Sequence, residues 1–102
     1  MAAITGTLDV GVELGGVTKL VTVTATLTQP SDVITLTNAT HGIRAITSIV
    51  DVVITGGQDA AFMHVSASYS GLVITVLSKN SSGVDATNWT GATVSVTVIG
   101  TY

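Results

Sequence analysis

The chain contains no cysteine, which excludes disulfide bonds, thiol catalysis and thiolate metal sites. Basic side chains are almost as scarce: Lys19, Arg44 and Lys79 are the only three, and the net charge is −3. A nucleic-acid-binding surface needs several phosphate contacts, which three scattered cations cannot supply. The sequence therefore predicts neither thiol chemistry nor nucleic-acid binding.

Charged residues of both signs make up 9% of the chain, against about 25% in typical soluble domains. No apolar run approaches the roughly 18 residues of a membrane span, because apolar residues alternate with Thr and Ser. The stretch from Met1 to Gly6 lacks the basic and apolar regions of a signal peptide, so we expect synthesis in the cytoplasm. So little charge favours an oligomer or lattice component, and the alternative is a Thr/Ser-rich monomer.

Gly15-Gly16 stands between two runs of alternating apolar residues and predicts a two-residue hairpin turn. With Leu14 opposite Val17, one face of the hairpin collects the apolar residues Ile4, Leu8, Val10, Val12 and Leu14 with Val17, Val21, Val23, Ala25 and Leu27. The other face is rich in threonine. This apolar face must be covered. The core of the same chain covers it if the hairpin packs on its own subunit, and a neighbour covers it if the hairpin at residues 1–28 extends as an arm.

Five further β runs follow, separated by turn-forming residues. They are Val33–Thr37, Ile43–Ile54, Ala60–Tyr69, Leu72–Ser78 and Thr93–Tyr102. Asn38–Gly42 has loop composition, and no segment has a helical period. The pattern predicts a single all-β domain over residues 1–102, an antiparallel sandwich or jelly roll of about 7–8 strands with a long N-terminal hairpin.

Several large apolar residues fall where no core is predicted to cover them. Pairing Tyr69 with Leu72 puts Val65, Ala67, Ile74 and Val76 on a core face and leaves other apolar residues on the reverse face. We interpret as interface candidates Phe62, Val73 and Leu77 on that reverse face, Trp89 in the irregular segment Asp85–Gly91, and Ile99 in the last strand.

No arrangement of reactive residues indicates an enzyme. His41 and His64 have no acidic residue at metal-ligand spacing, and the carboxylates match no catalytic motif. Asp51 interrupts an apolar run, which favours a satisfied polar group or an interface pair over catalysis. The sequence predicts no catalytic, cofactor-binding or metal-binding residue, and hence no enzyme.

The stretch Asp85–Gly100 (DATNWTGATVSVTVIG) resembles the ends of small all-β virion proteins of tailed bacteriophages, and Gly42–Ile49 resembles their middle. The cysteine-free, Thr/Val-rich chain as a whole is similar to capsid decoration (cement) proteins. The resemblance implies a homo-oligomer, preferably a homotrimer, of sandwich or jelly-roll subunits that binds the major capsid protein on the capsid exterior. It implies no cofactor and carries over no site residue.

A second hypothesis is a carbohydrate-binding or adhesin-type module centred on Trp89, although aromatic residues make up only 4% of the chain. A third is a phage tail or fibre component of the same fold. A stable oligomer favours the virion proteins, whereas a monomer whose tryptophan fluorescence shifts with glycans favours the module.

Overall fold

A computed structural model of the protein describes residues 2–29, 31–56, 63–80 and 92–102. Within these ranges the elements are β1 (Ala2–Ile4), β2 (Thr7–Gly15), β3 (Thr18–Thr26), β4 (Ser31–Thr35), α1 (Asn38–His41), β5 (Ala45–Gly56), β6 (Met63–Ser70), β7 (Val73–Asn80) and β8 (Thr93–Thr101). Sheet 1 has the order β1-β4-β7-β6 and sheet 2 the order β2-β3-β8-β5. The prediction of an all-β sandwich is confirmed.

The core lies between the two sheets and is built from every second residue of their strands. Sheet 2 contributes the buried residues Val21, Val23, Val94, Val96 and Val98, and sheet 1 contributes Ile34, Ile74 and Val76. The intervening residues of β3 and β8 are mostly Thr and point to the outer face of sheet 2. The last strand, predicted at Thr93–Tyr102, is confirmed.

The chain changes sheet immediately after β1. Ile4 lies opposite Ile34 in a parallel pair within sheet 1, whereas Thr7 lies opposite Thr24 in sheet 2. Gly6 is buried at this crossover, and a Cβ there would lie 2.5 Å from Ile34 Cγ2. The predicted hairpin register, with Leu14 opposite Val17, extends to Ile4 and Gly6 and pairs them with β3. This part of the prediction is wrong, because the first strand belongs to the opposite sheet.

The predicted hairpin around Gly15-Gly16 is present, and both glycines have positive φ values, 117° and 58°. Leu8 lies opposite Val23, as predicted. A β-bulge at Asp9 then shifts the register by one residue, so that Val12 lies opposite Leu20 instead of Lys19. Because side chains alternate between faces, this shift moves Val10 and Val12 to the outer face of sheet 2 and corrects the predicted apolar face.

The second hairpin turns at Gly71, where φ is 60°. Tyr69 lies opposite Ile74 instead of Leu72, so the register differs from the predicted one by two residues. A shift of two residues leaves every side chain on its original face. The predicted separation of core and outer residues in this hairpin is therefore confirmed although its pairs are not.

The run Ile43–Ile54 has apolar residues on both faces, which predicts a central strand or one covered on its outer side. In the structure this run is β5, an edge strand of sheet 2. Three register irregularities interrupt its pairing with β8. They bring Ile46, Ile49, Val52 and Ile54 opposite the inward-facing residues of β8. Simple alternation would place these apolar residues on both faces of β5. The bulges change the alternation, so that all four lie on the inner face.

A single helical turn, α1, replaces the loop predicted at Asn38–Gly42. The Thr37 side chain accepts a hydrogen bond from the Thr40 N–H, and Gly42 ends the turn in the left-handed conformation with φ 77°. Four residues are too few to produce a helical period, so the sequence pattern cannot reveal this element.

Gly100 in β8 permits the close approach of β5. A Cβ at Gly100 would overlap the Ala45 carbonyl oxygen and lie 3.1 Å from Ile43 Cδ1. We expect Gly100→Ala to lower the free energy of unfolding by about 1–3 kcal/mol in urea denaturation, because the strands must move apart. The matched control is Gly56→Ala in β5, where a Cβ meets open space and the expected change is near zero. Equal losses in the two variants would contradict this packing argument.

Candidate interaction surface

The structure separates the interface candidates that the sequence predicts. Val73 and Leu77 are exposed on the outer face of sheet 1, whereas Ile99 is half-buried on the outer face of sheet 2, opposite Leu20. Phe62 and Trp89 lie outside the described residues. Because the two outer faces point away from each other, Val73, Leu77 and Ile99 do not form one patch.

The largest group of exposed apolar side chains lies on the first hairpin. All nine residues of β2 are exposed. We call the four large apolar side chains of this strand the β2 strip: Leu8 is 39% exposed, Val10 46%, Val12 44% and Leu14 52%. Val17, in the turn that follows, is 60% exposed. The sequence predicts that these residues are covered by the core of the same chain or by a neighbour, and the subunit does not cover them.

The position of β2 in its sheet explains this exposure. Among the strands that the structure describes, it is the edge strand of sheet 2 and is hydrogen-bonded only to β3. The opposite sheet begins with β1, which has only three residues and lies beside β4. No strand of sheet 1 therefore lies over the length of β2, and both of its faces meet solvent.

The other long edge of sheet 2 is closed. Strand β5 packs beside β6 of sheet 1, and the Tyr69 hydroxyl donates a hydrogen bond of 2.5 Å to the Thr47 carbonyl. The free edge that this sheet offers to another chain is therefore β2.

Polar residues surround the tip of the hairpin. The Tyr102 hydroxyl donates to the Gly16 carbonyl over 3.1 Å, and Lys19 Nζ lies 6.0 Å from the centre of the Tyr102 ring. Desolvation of the phenol raises the pKa of Tyr102, and the neighbouring Glu13 carboxylate, by repulsion and hydrogen bonding, raises it further. The raised pKa means that the folded protein favours the neutral hydroxyl of Tyr102. The stabilisation that follows from this preference is present at neutral pH and is lost only above pH 10.

A depression of about 280 Å³ lies beside β1 and α1. Its walls include four threonines and the buried His41. His41 Nδ1 accepts from the Thr37 N–H over 3.0 Å, and Nε2 lies 2.7 Å from the Gly6 carbonyl, to which it donates. Both ring nitrogens are thus occupied by backbone groups, and no carboxylate lines the depression. The residues here form no acid–base pair.

The remaining candidates for chemistry are dispersed. Within the described ranges, no three His, Asp or Glu side chains come together in a way that could hold a metal ion. Asp51 is exposed on the outer face of sheet 2, opposite Thr97. The side chain of His64 lies outside the described part of the structure. Among the described residues, no helix has the length and apolar character needed to span a bilayer.

No protein-family model matches the chain, and neither a curated protein nor a solved structure is significantly similar to it.

Proposed function

We propose that the protein is a non-enzymatic virion structural protein that decorates and stabilises a phage capsid as an oligomer. The observation that carries this proposal is the β2 strip, an exposed apolar edge strand in a protein with very little charge. The resemblance of Asp85–Gly100 and Gly42–Ile49 to phage virion proteins supplies the class of partner, the major capsid protein.

The energetics of the surface favour an assembled state. Exposure of apolar surface costs about 25 cal/mol per Å², and the β2 strip adds to this cost in each free subunit. An isolated soluble domain ordinarily disperses its exposed apolar residues and surrounds them with charge. Here the only ionisable side chains of β2 are Asp9 and Glu13, so burial of the strip requires little charge desolvation.

The mechanism consists of binding without chemistry. A capsid presents many equivalent positions, so weak contacts made by each subunit add to one another once the first contact is formed. A decorating protein therefore needs an exposed adhesive surface and a rigid subunit, not a reactive site. The buried core between the sheets and the occupied nitrogens of His41 are consistent with that requirement.

Binding to capsids tests the proposal directly. We expect the purified protein to co-sediment with phage capsids that lack it, to saturate at a fixed number of copies per capsid, and to raise the temperature at which the capsids break. Cryo-electron microscopy of the complexes should place it on the capsid exterior. Absence of saturable binding by a folded oligomer would contradict the proposal. A shift of Trp89 fluorescence with glycans, without capsid binding, would support the carbohydrate-binding module instead.

A further inference from the structure

Strand β2 has the properties of an edge that pairs with another strand. One side of the strand presents backbone N–H and C=O groups that β3 does not use. Natural edge strands are usually protected by proline, by lysine, by bulges or by a covering segment, and the two bulges of β2 leave its middle segment, 10–13, regular. Strand β2 contains neither proline nor lysine, and all its residues are exposed.

Two register irregularities limit the part of β2 that is regular. They fall between Leu8 and Val10 and between Glu13 and Gly15. The segment between them, 10–13, alternates regularly with respect to β3. Val10 and Val12 lie opposite outer residues of β3 and therefore share the outer face of sheet 2. Gly11 and Glu13 lie opposite inner residues of β3 and share the inner face.

We propose that the occupant of this edge is β2 of a second copy of the chain, paired antiparallel about a twofold axis at Val12. This inference rests on the proposed function, because it specifies the self-contact of the decorating oligomer. It joins the two copies of sheet 2 into one continuous eight-stranded sheet and brings the valines of the two β2 strands side by side on its outer face.

The charges select this register. A twofold axis perpendicular to the joined sheet requires that opposed residues share a face, so the axis must pass through a residue and not between two residues. The three central pairs stay within the regular segment 10–13 only if that residue is Gly11 or Val12. With the axis at Gly11, Asp9 of each copy would face Glu13 of the other, and like charges directly opposite are destabilising. With the axis at Val12, Glu13 faces Gly11 and Asp9 faces Gly15, while Val12 faces Val12 and Val10 faces Leu14.

In this register the Glu13 carboxylate of the second copy comes close to a lysine of the first copy, Lys19. Lys19 lies against Gly11: a Cβ at Gly11 would be 3.2 Å from Lys19 Cε and 3.7 Å from Lys19 Nζ. Glu13 of the second copy, opposite Gly11 on the same face, therefore enters the space beside the Lys19 ammonium. Each copy thus supplies both an acid and a base to the contact, which favours a second copy over an unrelated extended segment.

The contact belongs to the small class of protein interfaces, of about 1,200 Å² or less, because only a short strand segment is joined. Such a dimer is weak in dilute solution and forms readily at the high local concentration of a capsid surface. The resemblance to cement proteins implies a trimer, so measurement of the oligomer mass distinguishes the two arrangements.

The absence of cysteine permits a sharp test of the register. Residues opposed across the twofold axis lie within disulfide distance, since Cα atoms of opposed residues are about 4.5–5.5 Å apart. We expect Val12→Cys to form a disulfide-linked dimer under mild oxidation at least tenfold faster than Val53→Cys. Val53 is the matched control because it is a valine of nearly equal exposure, 43% against 44%, on the opposite edge strand. Crosslinking at equal rates would overturn the inference.

Two further variants separate the alternatives. A mixture of Gly11→Cys and Glu13→Cys proteins should form mixed dimers, because these positions oppose each other within the regular segment in the proposed register. Val12→Lys should remain folded and lose self-association in light scattering at a protein concentration high enough for the wild-type protein to dimerise. If Val12→Lys instead leaves the oligomer mass unchanged and abolishes capsid binding, the partner of β2 is the capsid protein. That result would overturn the proposal that a second copy of the chain pairs with β2. If no variant or wild-type protein binds capsids, the proposed function fails while the crosslinking result stands by itself.

Discussion

Replacement of Asp32 by alanine should lower the free energy of unfolding by about 3–5 kcal/mol, because the carboxylate is buried and accepts three hydrogen bonds. Oδ2 accepts from the backbone N–H groups of Thr28 and Gln29, at 2.9 and 3.2 Å. Oδ1 accepts from the Thr28 hydroxyl at 3.1 Å. The variant leaves these donors, which belong to residues exposed at the surface, without their charged acceptor. Urea denaturation measures the effect.

Two substitutions control this prediction. Asp32→Asn keeps one oxygen acceptor but turns an amide toward a donor, so we expect about half of the alanine loss. Asp51→Ala removes an aspartate from an exposed position in β5 and should change the free energy of unfolding by less than about 0.5 kcal/mol. An Asp32→Ala protein as stable as the Asp51→Ala protein would show that the three hydrogen bonds contribute nothing.

The position of Asp32 explains why its loss should be severe. The chain leaves sheet 2 at the end of β3 and enters sheet 1 at β4, where Asp32 lies opposite Val76. The carboxylate binds the backbone just before this passage, at Thr28 and Gln29. It therefore fixes the path by which the chain changes sheet, and the alanine variant loses that constraint together with the hydrogen bonds.

The second large effect is expected at His41. His41→Phe keeps an aromatic ring, a somewhat larger one, but removes both hydrogen bonds, from the Thr37 N–H to Nδ1 and from Nε2 to the Gly6 carbonyl. We expect a loss of about 2–4 kcal/mol in the free energy of unfolding, because two backbone groups lose their partners beside a buried side chain. Chemical denaturation and amide hydrogen exchange at Thr37 provide the measurements.

Partial replacements make the His41 prediction more specific. His41→Asn places an acceptor near the position of Nδ1, and His41→Gln places a donor near the position of Nε2. Each should recover part of the stability that phenylalanine loses, and only the asparagine variant should restore protection of the Thr37 amide. If phenylalanine is tolerated as well as asparagine and glutamine, the ring acts through its packing and not through its nitrogens.

Asp32 and His41 serve the same structural purpose at two different crossovers. His41 holds Gly6, where the chain passes from β1 in sheet 1 to β2 in sheet 2. It therefore fixes the point at which β2 begins and the exposed edge that we propose to be the self-contact. Loss of His41 should for this reason reduce Val12→Cys crosslinking as well as stability.

The alternation of apolar and polar residues determined much of the fold. It predicted β8 with its buried Val94, Val96 and Val98, the turn at Gly15-Gly16 and the two faces of the second hairpin. Period-two patterns are local, so they identify strands and faces wherever the pairing is regular. Among the predicted interface residues, they also placed Val73 and Leu77 on an exposed outer face.

Tertiary structure alone decided the rest. A bulge at Asp9 leaves no mark in composition, yet it moves Val12 to the outer face, so the exposed β2 strip was not predictable from alternation. The partners of Asp32 and His41 are backbone groups whose approach depends on the crossovers between sheets. A sequence specifies which residues prefer burial. Which edge of the sandwich remains uncovered follows only from how the two sheets are joined.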